Sequence, residues 1–245
     1  MDDQPDECEP CRVTETFLAD LAFVQEANTT QLTFTSEYHS RRGGKEILLP
    51  LSIEYGVCDS VQLGMDWVAF GYSQEDGRHP LRGSGDFGLS AKYAFHMNNP
   101  RNHLAAGFEF QFPTGRLGSD SIGYGPSLMF GRDFPRCHNA HVFGQLGLDC
   151  VQRVGAASGD EKEPVAHESF VATGVLVPLG NFCLSSEFTW NNNQWNHAGT
   201  VNEVYFAPGV TWKLSDSLQC GAAVPAGLNR QSDRFQIILR FMFEF

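Results

Sequence analysis

The sequence ends with Phe235-Gln-Ile-Ile-Leu-Arg-Phe-Met-Phe-Glu-Phe245, in which apolar and polar residues alternate. Successive side chains of a β-strand point to opposite faces, whereas a helix would scatter Arg240 and Glu244 among the aromatic residues. The pattern therefore predicts a strand with one apolar face. That face consists of Phe235, Ile237, Leu239, Phe241, Phe243 and Phe245, and the other carries Gln236, Arg240, Met242 and Glu244, with Ile238 as an exception.

Similar period-two segments recur along the chain from Gln31 onward. Together they predict about twelve strands, each with the length typical of a membrane-spanning barrel strand. The earlier segments are Gln31–His39, Glu46–Tyr55, Val61–Tyr72, Asp86–Phe95, His103–Pro113, Gly123–Phe134, Ala140–Arg153, Glu168–Pro178, Phe182–Asn191, Val204–Lys213 and Leu218–Ala226.

The connections between these segments alternate between tight turns and mostly longer, more polar links. Tight turns are predicted at Gly56–Asp59 and Leu179–Asn181, for example, and longer links at Ser40–Lys45, Ser73–Ser84 and Val154–His167. Outer-membrane barrels alternate in this way, with short periplasmic turns and longer extracellular loops. We therefore predict an all-β fold, a closed antiparallel transmembrane β-barrel of about twelve strands.

Composition and charge exclude two other classes. Hydrophobic residues make up 42% of the chain, charged residues 19%, and the mean hydropathy is -0.25. No apolar run approaches the roughly 18 residues that a membrane-spanning helix needs, so a helical membrane protein is excluded. The net charge of -12 argues against a nucleic-acid partner, which requires a basic patch.

The first thirty residues differ from the rest, so we divide the chain into an N-terminal extension, 1–30, and a barrel, 31–245. Thr14–Glu26 has a short helix-like spacing of apolar residues, and the extension could form a tail, a plug in the lumen or an extra strand, of which tail and plug are favoured. The start is acidic and is no signal peptide. The expected location in the bacterial outer membrane thus assumes a sequence that begins after the cleavage site.

Seven cysteines are present, an odd number. Cys8 and Cys11 form a CxxC pair that is a candidate disulfide in an oxidising periplasm. No second CxxC completes a zinc site. The sequence does not decide whether the remaining cysteines pair or are unpaired thiols without a role.

Inward-facing charges are the candidate site. A charge facing lipid costs about 2–4 kcal/mol near the midplane, so charged residues of the strands must point into the lumen. They either select solutes by charge or form ion pairs that pack a narrow barrel. The predicted pore-lining residues are Glu54, Asp66, Lys92, Glu109, Asp149, Glu187, Lys213, Arg240 and Glu244.

Catalytic and metal motifs are missing from the sequence. Neither GxSxG nor HExxH occurs, and although His138 and His141 lie close together, no neighbouring residue completes a metal site. We therefore expect no enzyme activity, no cofactor and no metal.

Three further stretches resemble a known family. They are Gly83-Ser-Gly-Asp-Phe-Gly-Leu-Ser-Ala-Lys-Tyr93, Ala105-Ala-Gly-Phe-Glu-Phe-Gln-Phe-Pro-Thr-Gly115 and Pro208-Gly-Val-Thr-Trp-Lys-Leu-Ser-Asp-Ser217. They resemble the family labelled "putative MetA-pathway of phenol degradation" in its G-D-x-x-L-x-x-K-Y strand, its P-T-G strand end and its L-(S/T)-D turn. The resemblance implies an outer-membrane barrel for uptake of small, often hydrophobic or aromatic molecules. The many cysteines and the acidic N-terminus depart from it.

The chain end also resembles the C-terminal strand of outer-membrane proteins, which finishes on an aromatic residue read by the barrel-assembly machinery. Phe241, Phe243 and Phe245 would form that signal.

Two functions follow from these observations. The first is an outer-membrane channel for passive passage of small solutes, among them hydrophobic or aromatic ones. The alternative is an occluded structural barrel that anchors or completes a multi-protein complex with a periplasmic protein partner. Cys8 and Cys11 are the residues that suggest this alternative. Membrane lipid is a partner in both.

Overall fold

The computed structural model describes residue 13 and residues 15–118, 121–153, 166–194 and 201–245. These residues form fourteen strands. Each predicted segment coincides with a strand whose ends differ from the prediction by a few residues at most. The strands are β1 (Thr30–Arg41), β2 (Gly44–Cys58), β3 (Val61–Glu75), β4 (Leu81–Gly83), β5 (Phe87–Ala94), β6 (Asn102–Phe112), β7 (Ser121–Phe134), β8 (Ala140–Arg153), β9 (Ala166–Leu179), β10 (Phe182–Gln194), β11 (Val201–Ser215), β12 (Leu218–Ala223), β13 (Ala226–Gly227) and β14 (Phe235–Glu244).

The sheet closes on itself. Each barrel strand pairs antiparallel with its neighbours, and β14 returns to pair with β1 from Gln31 opposite Glu244 to Ser40 opposite Phe235. The short strands β4 and β13 are extra pieces: β4 pairs with β3 beyond β5, and β13 pairs with β11 beyond β12. Without them the barrel has twelve strands, which confirms the predicted fold.

The two faces of the sheet follow the predicted alternation. On β14 the outward residues Phe241 and Leu239 are 50% and 46% exposed, whereas the inward Ile238 and Met242 are 2% and 4% exposed. Ile238, the exception in the sequence pattern, is thus covered by protein within the barrel. The outer wall is a belt of exposed large apolar side chains that recurs from β1 to β14, as a lipid-facing surface requires.

Two-residue links dominate one end of the barrel. Residues 59–60, 180–181 and 216–217 join strands there, together with 95–101 and 135–139, and Phe245 lies at this end as well. Gly180 has a positive φ of 61°, which a tight two-residue turn requires and a glycine adopts without strain. We call this the turn end and the opposite one the loop end.

One predicted link is wrong. Ser40–Lys45 was expected to be a longer loop, but the ladder between β1 and β2 continues to Arg41 opposite Gly44 and leaves only residues 42–43 as the turn. The glycine pair Gly43-Gly44 allows the chain to reverse this tightly. The predicted links at 154–167 and 192–201 lie largely outside the described residues.

The helix-like spacing of Thr14–Glu26 is also misleading. Residues 15–29 contain bends and a turn but no helix. Four of their backbone amides bond to side chains of the barrel wall, and several of their apolar side chains pack against the wall as well. Among the described residues, no helix is long and apolar enough to cross a membrane.

Candidate functional site

The interior of the barrel is the candidate site, and residues 15–29 pass through it. We call these residues the luminal segment. They hydrogen-bond to β3, β8, β10 and β14, which lie on different sides of the barrel. A segment can reach all four strands only from inside. Val13 and Leu21 add an apolar contact with Phe143, Leu176 and Cys183 of the wall.

Side chains of the barrel wall accept hydrogen bonds from backbone amides of the luminal segment. The amides of Phe17 and Leu18 donate to the two carboxylate oxygens of Glu187, each at 2.9 Å. The amide of Asp20 donates to Oε1 of Gln145 at 2.8 Å, and that of Gln25 to Oε1 of Gln62 at 2.9 Å. These bonds matter because a buried amide without an acceptor is costly. Glu187 itself has no exposed surface.

Arg240 fastens the start of the luminal segment. Its guanidinium donates to the carbonyl of Thr16 and lies 3.3 Å from the carboxylate of Glu15. It also lies 5.3 Å from the centre of the Phe17 ring, within the range of a cation–π contact.

Two glycines make room for that ring. A Cβ at Gly209 would lie 2.7 Å from the ring of Phe17, and one at Gly221 would lie 2.8 Å from it.

The central cavity lies beside the luminal segment and has a volume of about 420 Å³. Its lining is strongly acidic, with seven carboxylates against two cations. The carboxylates belong to Glu15, Asp20, Glu37, Glu54, Asp66, Glu109 and Asp149, and the cations to Lys92 and Arg240. An acid-rich lining in a confined space raises the local concentration of cations and repels anions.

A larger cavity of about 690 Å³ opens at the turn end. Lys213 and Glu244 border it, together with Phe23 and Gln25 of the luminal segment. Lys213 forms an ion pair with Asp216 at 2.9 Å. The luminal segment therefore borders both cavities.

The structure brings most of the predicted pore-lining residues together. Glu54, Asp66, Lys92, Glu109, Asp149 and Arg240 border the central cavity. Glu187 lies against the luminal segment, and Lys213 and Glu244 lie apart at the turn end. Phe241, Phe243 and Phe245 face outward. Cys8 and Cys11 lie outside the described residues, whereas Cys58, Cys137, Cys150 and Cys220 are free thiols.

Sequence reasoning missed several interior residues. Gln62 and Gln145 are uncharged, and only their position opposite the luminal segment distinguishes them. Glu15 and Asp20 add charge to the lumen from the extension. His103 and Asp133, 30 positions apart in the chain, meet in the barrel beside His141.

At the loop end, Asp233 organises the connection between β13 and β14. It accepts hydrogen bonds from His39 at 3.0 Å and Gln236 at 3.1 Å, and its own amide donates to the hydroxyl of Tyr205 at 3.0 Å. Burial acts to raise the pKa of Asp233, but the bonds to His39 and Gln236 and the charges of His39 and Arg41 outweigh it and lower the pKa.

Comparison with known proteins bears on the fold of the chain. No protein-family model matches the sequence, and no curated protein matches it. Solved structures do match. The outer-membrane channel from Pseudomonas putida F1 has a TM-score of 0.70 at 14% identity, over 91% of this chain and 98% of that one.

Two porins match in the same way. The NanC porin has a TM-score of 0.60 at 12% identity, over 87% of this chain and 98% of its own. The KdgM porin in complex with disordered oligogalacturonate has a TM-score of 0.59 at 11% identity, over 88% and 98%. The chain therefore has the fold of outer-membrane β-barrels, and these structural neighbours are channels and porins, not enzymes.

Proposed function

We propose that this protein is a channel of the bacterial outer membrane that lets small solutes pass passively, with cationic and neutral solutes favoured over anions. The observation that carries the proposal is the acidic central cavity inside a twelve-stranded barrel. Channel and porin neighbours support the same class of function. Outer-membrane barrels have their short turns in the periplasm and their longer loops outside the cell, so we orient the turn end toward the periplasm and the loop end outward.

The charge preference follows from the balance of the lining. Asp66, Glu109 and Asp149 face the central cavity from β3, β6 and β8, and Lys92 of β5 is one of the two cations in the lining. With seven carboxylates against two cations, the lining carries excess negative charge. Such rings of carboxylates favour cations in other channels.

The solute class rests on the family resemblance. The stretches around Asp86, Phe110 and Trp212 resemble a family linked to uptake of hydrophobic or aromatic molecules, and we propose small aromatic solutes as the first to try. An acidic lumen would pass their neutral or cationic forms and exclude their anions.

Single-channel recording tests the proposal. The full chain is refolded in detergent, an unheated gel confirms the folded barrel, and the protein is inserted into a planar bilayer. Discrete conductance steps are expected in the wild type or in the Glu187→Ala variant, in which the luminal segment has lost two hydrogen bonds. A sealed membrane with both proteins would overturn the channel proposal.

A second function is favoured by the luminal segment itself. Its bonds to β3, β8, β10 and β14 would hold it inside the barrel as a plug. A permanently occluded barrel could serve as the anchor of an outer-membrane complex. Co-purification of a periplasmic protein together with a sealed membrane would support this alternative. A solitary, conducting chain would contradict it.

A further inference from the structure

Two imidazoles and one carboxylate meet on the inner wall near the turn end. Nε2 of His103 lies 2.8 Å from Oδ2 of Asp133, and Nδ1 of His141 lies 2.7 Å from Oδ1 of the same carboxylate. One ligand atom from each residue lies within 4.8 Å of the others. Two ring nitrogens and one carboxylate therefore lie close enough together to share an ion.

The sheet holds these side chains in place. His103 is on β6, Asp133 on β7 and His141 on β8, three adjacent strands, and Asp133 pairs directly with His141 across the ladder. Gly131 pairs with His103 and provides the space, because a Cβ there would lie 2.5 Å from Cε1 of His141. The ring of His141 thus lies over the backbone of Gly131 and points toward β6.

The spacing suits a small transition-metal ion. Zinc binds histidine nitrogen and carboxylate oxygen at about 2.0–2.2 Å, which separates neighbouring ligands of a tetrahedral site by roughly 3.3 Å. The two nitrogen–oxygen distances are 2.8 and 2.7 Å, each to a different oxygen of Asp133, and lie about half an ångström below that separation. The three ligand atoms lie within 4.8 Å of one another, so the side chains would also have to draw together slightly around an ion. Two histidines and a carboxylate are a recurring protein ligand set for zinc.

The cluster can be reached by an ion. The side chain of Asp133 is 37% exposed and that of His103 21%, whereas that of His141 is 8% exposed. His103 also borders the 690 Å³ cavity, which can supply water as a fourth ligand. Phe23 of the luminal segment packs against both imidazoles, with ring centres 4.7 and 4.9 Å away.

We propose that His103, Asp133 and His141 bind a divalent transition-metal ion, zinc by preference, on the lumen wall at the turn end. Passive passage of solutes does not require such a site, so the inference goes beyond the proposed function. It also replaces the sequence-based expectation of no metal, which considered only residues close to His141 in the chain.

Isothermal titration of Zn²⁺ into the refolded full chain tests the site. The protein is prepared without a histidine tag and with its cysteine thiols alkylated, because a CxxC pair such as Cys8 and Cys11 can bind zinc by itself. We expect stoichiometric binding, and Co²⁺ in place of Zn²⁺ should give the visible absorption of a tetrahedral nitrogen–oxygen site.

Asp133→Asn and His141→Gln should each weaken zinc binding by about 100-fold or more, since removing a ligand costs at least as much as removing its supporting partner. His39→Gln is the matched control, because His39 contacts Glu37 and Asp233 at the opposite end. If His141→Gln does not fold, as judged by the unheated gel, the more exposed His103 is changed to Gln instead. Absence of stoichiometric binding in the folded wild type, or unchanged binding in the ligand variants, would overturn the proposal.

Discussion

At the scale of single residues, Glu187 joins strand β10 to the luminal segment. It is fully buried and accepts hydrogen bonds from two backbone amides of the luminal segment. A buried carboxylate is costly unless hydrogen bonds compensate it, so Glu187 and the luminal segment stabilise each other. Its neighbour on the same inner face, Ser185, is buried as well, but its hydroxyl has no hydrogen-bond partner in the described part of the chain.

We expect Glu187→Ala to loosen the luminal segment. Each of the two amides left without an acceptor costs about 1–3 kcal/mol, and 1.4 kcal/mol corresponds to about a tenfold change in population. The fraction of time spent in a conducting state should rise on the order of tenfold or more, as measured by single-channel recording.

Ser185→Ala is the control for that variant, because it removes a polar group from the same strand and face without breaking a bond to the luminal segment. Its open probability should equal that of the wild type. Equal behaviour of both variants would show that Glu187 does not hold the luminal segment.

At the scale of elements, β14 both closes the barrel and carries the predicted assembly signal. It pairs with β1 over its whole length, and its outward face is a row of aromatic and aliphatic residues. Phe245 is 74% exposed at the turn end, whereas Phe235 is 38% exposed at the other end of the strand.

Phe245→Ser should reduce the amount of folded barrel in the outer membrane of cells severalfold, because the terminal aromatic residue would no longer be recognised during assembly. Refolding of the purified variant in detergent should stay normal, since Phe245 packs little. Phe235→Ser, which removes a phenyl ring from the same face, is the control. Equal cellular losses for the two variants would indicate that lipid contact matters and that a terminal signal does not.

Asp233 links the loop at 228–234 to His39 of β1 and Gln236 of β14. The pKa of Asp233 is lowered in the folded protein. Its ionised form therefore stabilises the loop fully at pH values above the ordinary pKa of 3.8. This stabilisation is lost as the pH falls below 3.8 and through the lower pKa of the folded state.

A spin label at Arg230→Cys, in a protein whose native thiols are blocked, should therefore become more mobile in acid. In Asp233→Asn the same label should be mobile already at neutral pH, without a further acid transition. A label at Arg78→Cys, on the separate loop between β3 and β4, should show neither effect. An acid transition that persists in Asp233→Asn would assign the change to another group.

At the scale of the whole molecule, the barrel separates an apolar exterior from an acidic interior. The chain carries a net charge of -12, and the central cavity concentrates part of it where water is confined. Charge in such a space acts strongly on passing ions.

We expect the conducting state to prefer K⁺ over Cl⁻, as judged by the reversal potential in a KCl gradient. Combining Asp66→Asn, Glu109→Gln and Asp149→Asn should lower the permeability ratio severalfold, because these carboxylates face the central cavity. Asp76→Asn, an exposed change on the loop after β3, should leave the ratio unchanged. An anion preference in the wild type would contradict the proposed selectivity.

The sequence predicted the strands better than the position of the extension. The period-two pattern of segments such as Phe235–Phe245 is set by the lipid on one side and the lumen on the other, so it can be read locally. Residues 15–29 obey no such rule. Their partners Gln62, Gln145 and Glu187 come from three different strands, and no local pattern in either partner indicates the contact.

The sequence by itself thus determined the number of strands, the closed antiparallel fold and which side chains face outward, since each depends on the alternation within a strand. Only the tertiary structure decided that the luminal segment passes through the barrel and that His103 and His141 share Asp133. Closure of the sheet is the physical reason, because curvature brings side chains of distant strands to a common interior that no single strand defines.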